Sequence, residues 1–184
     1  MLDATSSAIA LNTSGAVAQQ EHREGATAYT ADDIKDRFAA SRTVRYYDRF
    51  EEWMLGKLPE AFLLPEKPKF DHLDLLTPAN DWEVVARIKK GEAEKDIGRL
   101  AVGMIRLFTA VREGRKLRLL DRRETGPFVP NLFPFWVGEQ LYMGIVMRYY
   151  DKEGWKSVPV WFCDVLLPSK KQFPEGSRVF FFDS

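Results

Sequence analysis

The densest run of chemically able side chains is Arg112-Glu113-Gly114-Arg115-Lys116-Leu117-Arg118-Leu119-Leu120-Asp121-Arg122-Arg123-Glu124. Adjacent guanidinium groups suit phosphate oxygens, which they hold through paired hydrogen bonds. A carboxylate beside them can hold a divalent cation or orient an attacking water. Arg122, Arg123 and Glu124 therefore read as candidate catalytic groups for phosphoryl chemistry, with Glu139 as a second carboxylate from the next strand. On a strand over 116–121, Lys116, Arg118 and Leu120 face one way and Leu117, Leu119 and Asp121 the other. Lys116 and Arg118 extend the electrostatic groove along that strand, and Asp121 stands at its end beside the arginines. The competing reading is a salt-bridged surface, in which such pairs contribute little.

Other chemistry has less to stand on. The sequence contains no G-x-x-x-x-G-K-S/T phosphate loop, no G-x-G-x-x-G, no H-E-x-x-H and no C-x-x-C. Of its two histidines, His22 lies among small polar residues and reads as surface. His72, in Asp71-His72-Leu73-Asp74, would need a distant second ligand to bind metal. Neither has an evident nucleophile partner for a hydrolytic triad. Cys163 sits in the apolar run Val160-Trp161-Phe162-Cys163-Asp164-Val165 and reads as a buried packing residue, with Asp164 facing the other way.

Charge is balanced only in sum. The 27 basic and 27 acidic groups cancel, yet residues 85–123 hold 12 basic against 5 acidic, a net of +7, and residues 1–84 carry 9 against 15, a net of −6. A basic band attracts phosphate even in a neutral molecule. Arg99, Arg106 and Arg115 are the candidate DNA contacts within it. The alternatives are a solvated face or internal pairing with the acidic front.

These residues need a scaffold. With 184 residues, 45% hydrophobic and 13% aromatic, the chain is expected to form one domain without a disulfide or metal staple. A lone cysteine cannot form an internal disulfide, which favours a reducing compartment. No apolar run approaches the roughly 20 residues of a membrane helix. Residues 1–28 read as a flexible tail without a secretory signal, and 29–184 as the domain. Thr30-Ala31-Asp32-Asp33 starts a helix, with Ile34 and Phe38 as its apolar stripe. A second amphipathic stretch spans Tyr46 to Leu58, although Thr43 to Tyr47 could equally begin as a strand. Pro59, Pro65 and Pro68 mark a loop; the alternation of Trp82, Val84, Ala86 and Ile88 reads as a strand.

The clearest element is a helix from Ala93 to Arg112. Ile97, Leu100, Ala101, Met104, Phe108 and Val111 share its inner face, and Lys95, Arg99 and Arg106 the opposite one. Residues 127–134 read as a stiff, packed connection, and Trp136 to Tyr150 as one extended strand, with a helix as the alternative. Asp151 to Gly154 forms a hairpin loop and Trp155 to Leu167 the return strand, with Pro159 suggesting an edge or a bulge. Arg178 to Phe182 is the last strand. The order of elements predicts an α+β fold with a mixed β-sheet flanked by helices.

Around Leu119-Leu120-Asp121-Arg122-Arg123-Glu124, and over most of the chain from Thr30 to Phe182, the sequence resembles the fertility-inhibition factors of conjugative plasmids. That resemblance implies a ParB/sulfiredoxin-like fold, whose usual phosphate-site signature is a strand followed by D-G-H-R or G-C-H-R. Asp121 and one arginine fit; the glycine and histidine have no counterpart, and Cys163 lies outside any G-C-H-R setting. It further implies a cytoplasmic protein, with a location peripheral to the inner membrane as the alternative, that blocks DNA export through conjugation or type IV secretion. The implied activity is DNA cleavage linked to ATP binding and hydrolysis, with Lys116, Arg118 and Asp121 holding the nucleotide and a divalent metal ion, Mg, as cofactor. The implied partners are DNA, as the transferred strand or the relaxase–DNA complex, and the coupling protein of type IV secretion. The non-enzymatic alternative is a binding module that occupies the coupling protein or the relaxase–DNA complex.

Overall fold

A six-stranded mixed sheet lies between helices of unequal weight, and its strand order follows from which residues alternate. The computed structural model describes residues 26–41, 44–64, 68–88, 93–113, 119, 129–149 and 160–182. The strands are β1 (Thr27–Thr30), β2 (Val44–Tyr46), β3 (Ala61–Leu64), β4 (Phe70–Asp74), β5 (Asn131–Val137), β6 (Gln140–Tyr149), β7 (Val160–Leu166) and β8 (Arg178–Phe182). The helices are α1 (Ala31–Ala39), α2 (Asp48–Trp53), α3 (Asp81–Arg87) and α4 (Ile97–Arg112), with a 3₁₀ turn at Leu55–Lys57. The large sheet runs β2-β7-β6-β5-β8-β4, and β1 pairs with β3 separately. β2 with β7 and β5 with β8 are parallel; the other pairs are antiparallel. The chain is thus a single α+β domain with a mixed sheet, as its order of elements predicts.

Period-2 alternation assigns each strand residue to a layer. Phe133 and Phe135 of β5, Val146 of β6, and Trp161, Cys163 and Val165 of β7 face the main core. Ile34 and Phe38 of α1, Phe50 of α2, and Leu100, Met104 and Phe108 of α4 cover them. Leu132, Met143, Ile145 and Val179 point to the other face, where Val84 of α3 and Ile88 meet them. α4 approaches closely because of two glycines. A Cβ at Gly98 would lie 2.6 Å from the Phe62 ring, and one at Gly103 would lie 2.6 Å from Phe70.

Several expectations hold. Thr30 caps α1, its hydroxyl accepting the Asp33 N–H at 3.1 Å, and Ile34 and Phe38 are buried. β8 spans Arg178–Phe182 as read. β6 and β7 pair as a hairpin would, though residues 151–154 and 155–159 lie outside the described set. The expected strand over 116–121 lies outside it as well, apart from the buried Leu119.

Other expectations are corrected. Trp82 to Ile88 is mostly helix, not strand: Asn80 accepts the Glu83 N–H while Glu83 accepts the Asn80 N–H, a capping box that fixes the first turn of α3. Val84, Val85 and Ile88 are buried at helical spacing, whereas Trp82 is 56% exposed. The stretch from Tyr46 to Leu58 divides into the end of β2, the short α2 and a 3₁₀ turn, and the strand alternative for Val44 to Tyr46 is the correct one. The proline-marked region holds β3, and β4 follows it at once. α4 begins at Ile97 rather than Ala93, because Glu94 bridges β5: its N–H donates to the Pro134 carbonyl and its carbonyl accepts the Trp136 N–H. Asp96 then accepts the Arg99 N–H in the manner of an N-cap.

The single strand expected from Trp136 to Tyr150 is instead a hairpin, β5 and β6 turning at Gly138-Glu139, and the supposed connection 127–134 contains the start of β5. Gly138 has φ 58°, a conformation that favours glycine and permits the tight turn. Pro134 is tolerated because β8 pairs with β5 only at Asn131 and Leu132, leaving the proline beside Glu94. Nor does β7 form an edge; it lies between β2 and β6.

Candidate nucleic-acid interface

α1 and α4 meet edge to face through Phe38 and Phe108, with ring centroids 6.2 Å apart. Beyond that contact the helices leave a groove. One cavity of about 490 Å³ is lined by Arg37, Lys69, Ile105, Arg106 and Thr109, with Glu113 at the end of α4. An adjoining cavity of about 300 Å³ shares Arg37, Ile105 and Thr109 and reaches Phe38, Val44 and Phe108.

Each cation reaches the groove for a local reason. Arg37 lies in the last turn of α1, where a positive charge favours the helix C-terminus, and its guanidinium carbon is 6.0 Å from the Tyr29 ring centre. Arg106 lies on the exposed face of α4 and donates to the Pro68 carbonyl at 2.7 Å. That bond draws the segment entering β4 against the helix and sets exposed Lys69 alongside it. Neither Arg37 nor Lys69 carries a sequence signal for this groove. By sequence Arg37 is a helix-end charge and Lys69 follows a proline-marked loop.

The expected site residues divide into those the structure places and those beyond it. Arg106 lies in the groove. Arg99, seven residues earlier, lies 3.6 Å from the Glu94 carboxylate and stacks over the Phe182 ring at 4.3 Å. Lys95, expected on the same helical face, precedes the helix and is exposed. Glu139 stands exposed at the β5–β6 turn rather than on a strand. Lys116, Arg118, Asp121, Arg122, Arg123, Glu124 and Arg115 lie outside the described residues, as does His22.

Cys163 is fully buried in the main core, where desolvation, followed by the neighbouring Asp164 charge, pushes its thiol well above the usual range. A nucleophilic thiolate is therefore disfavoured at this position. Asp164 turns to the opposite side of β7 and pairs with Arg49 of α2 at 2.6 Å. His72 is half-buried on β4, with its ring centre 5.8 Å from that of Phe180. Among the described residues, no group of three or more His, Cys, Asp and Glu is arranged to hold a metal ion.

The fold and groove define a mixed-sheet α+β protein with a cation-lined cleft between two helices. Among the described residues, no helix is long and apolar enough to cross a membrane. No family profile, curated protein or solved structure matches the chain.

Proposed function

We propose that the protein acts on nucleic acid, gripping the phosphate backbone along the α1–α4 groove. The observation that carries this reading is the convergence of Arg37, Lys69 and Arg106 on one cavity of about 490 Å³. The net +7 of residues 85–123 supports it, since α4 lies within that band. Such a groove attracts a polyanion by its local field, even though the molecule as a whole is neutral.

The resemblance to fertility-inhibition factors, and among them to the oncogenic suppression protein, supplies the finer proposal. The protein would be a plasmid-encoded, cytoplasmic factor of ParB/sulfiredoxin-like fold that blocks conjugative or type IV secretion DNA transfer. It would act by ATP-linked, metal-assisted DNA cleavage. Arg122, Arg123 and Glu124 would act on the phosphate, and Lys116, Arg118 and Asp121 would hold the nucleotide. The second reading is occlusion of the coupling protein or the relaxase–DNA complex.

A titration of labelled DNA across a salt series tests the first step. Affinity is expected to fall linearly on a log–log plot, and Lys69→Glu and Arg106→Glu are each expected to weaken binding and flatten the slope. Binding indifferent to salt and to both substitutions rejects the groove as the contact.

A further inference from the structure

α3 seals the second face of the sheet with one side and leaves apolar groups on the other. Trp82 is 56% exposed, and its ring centre lies 6.1 Å from that of half-buried Trp136, at a tilt of 52°. Ala86, one turn along from Trp82, is exposed on the same side of the helix. Arg87 donates to the Thr77 carbonyl at 3.0 Å and to the Thr77 hydroxyl at 3.1 Å, which holds the preceding loop against the last turn of α3. Leu76, in that loop, is 83% exposed. Single apolar groups on a surface are ordinary, but a row of them rimmed by charge marks a contact surface. The rim here carries both signs. Glu83 follows Trp82, and Glu139 stands at the β5–β6 turn, three residues beyond Trp136. Lys170 and Lys171 follow Ser169, whose N–H donates to the carboxylate of Asp81, next to Trp82. All four are exposed, and among the described residues none of them joins an ion pair within the chain.

We propose that the outer face of α3 is a self-association surface, on which a second copy of the chain docks across a two-fold axis with Trp82 at the centre. The proposal stands apart from the nucleic-acid reading above. A two-fold axis sets a patch against itself in reverse, so an apolar centre meets an apolar centre. The rim of mixed sign then places Glu139 of one copy against Lys170 and Lys171 of the other, twice over. A partner with one dominant charge would meet like charges on that rim, which disfavours it. Tryptophan is among the residue types that contribute most when the centre of a contact is desolvated.

Sedimentation equilibrium of the full chain over a concentration series tests this. Wild type is expected to pass from monomer to dimer, and Trp82→Glu and Leu76→Glu are each expected to raise the dissociation constant about tenfold or more. Glu139→Lys and the double variant Lys170→Glu/Lys171→Glu are each expected to dimerise more weakly than wild type. Mixed in equal amounts, these two are expected to regain association, because each altered charge then faces its opposite. Circular dichroism and melting establish that every variant is folded. A wild-type chain that stays monomeric throughout the series overturns the proposal, and so does a dimer that neither apolar substitution weakens. A mixture of the charge variants that associates no more tightly than its components overturns the two-fold arrangement. Should Trp82→Glu not fold, Leu76→Glu decides, since Leu76 lies outside the core clusters.

Discussion

Asp81 shows how much one side chain depends on its surroundings. It opens α3, is 1% exposed, and its Oδ2 accepts the Ser169 N–H at 2.9 Å, tying the segment after β7 to the helix. Desolvation raises its carboxyl above the ordinary value of 3.8, against the smaller opposing pull of the Ser169 bond. A raised carboxyl means that the folded protein holds its proton to higher pH than the unfolded chain does. This group's contribution is therefore most favourable below the unfolded value, and it is lost as pH rises through the folded one. Asp81→Asn keeps an oxygen for Ser169 and removes the charge. Its melting temperature relative to wild type should rise as pH increases above the ordinary carboxylate value. A pH-independent difference would show that Asp81 titrates as in the unfolded chain. Cys163 gives the complementary case: a buried thiol with a raised pKa should resist alkylation in the native state and react on unfolding. Rapid native labelling would contradict its burial.

α3 and α4 differ in how far each is encoded by local sequence, a difference that mutations can expose. The Asn80–Glu83 capping box is a local signal, legible in principle, that the apparent alternation of Trp82, Val84, Ala86 and Ile88 masked. Asn80→Ala should destabilise the protein by about 1 kcal/mol, the usual worth of such a cap, as measured by chemical denaturation. No change would mean that tertiary contacts alone hold α3. Gly103 carries the opposite lesson. Helix propensity favours Gly→Ala within a helix by roughly 0.5–1 kcal/mol. Here the added methyl would press on Phe70, which is itself packed against Phe133, Phe180 and Phe182 at centroid distances of 5.4, 5.8 and 4.3 Å. That ring has little room to retreat, so Gly103→Ala should destabilise by about 1–3 kcal/mol. A stabilised variant would show that α4 can shift away from β4.

Across the whole molecule, neutrality conceals the separation of an acidic front from a basic middle, and the proposed activity tests whether that separation serves catalysis. Arg123→Ala and Glu124→Ala should each lower ATP hydrolysis and DNA cleavage together in purified, folded protein if one centre serves both reactions. Wild-type rates for both variants would move the site elsewhere. Chelation of divalent ions should abolish cleavage while leaving groove binding of DNA in place, because the groove cations act without metal.

The sequence alone determined the α+β class, the capped start of α1, the inner face of α4, the final strand and the burial of Cys163. Each is set by periodicity or by contacts within a few residues. Only the tertiary structure decided that the stretch from Asn131 to Tyr149 folds back at Gly138: both strands lie inside the sheet and are largely apolar, so the short break Gly138-Glu139-Gln140 does not by itself distinguish a turn from an interruption in one long strand. It also decided that α4 starts late, because the residues before it are drawn into a bridge with β5 far along the chain. The groove was hidden for the same reason. Arg37, Lys69 and Arg106 are separated by 32 and 37 residues in sequence, and only the packing of α1 and the entry to β4 against α4 brings them to one cavity.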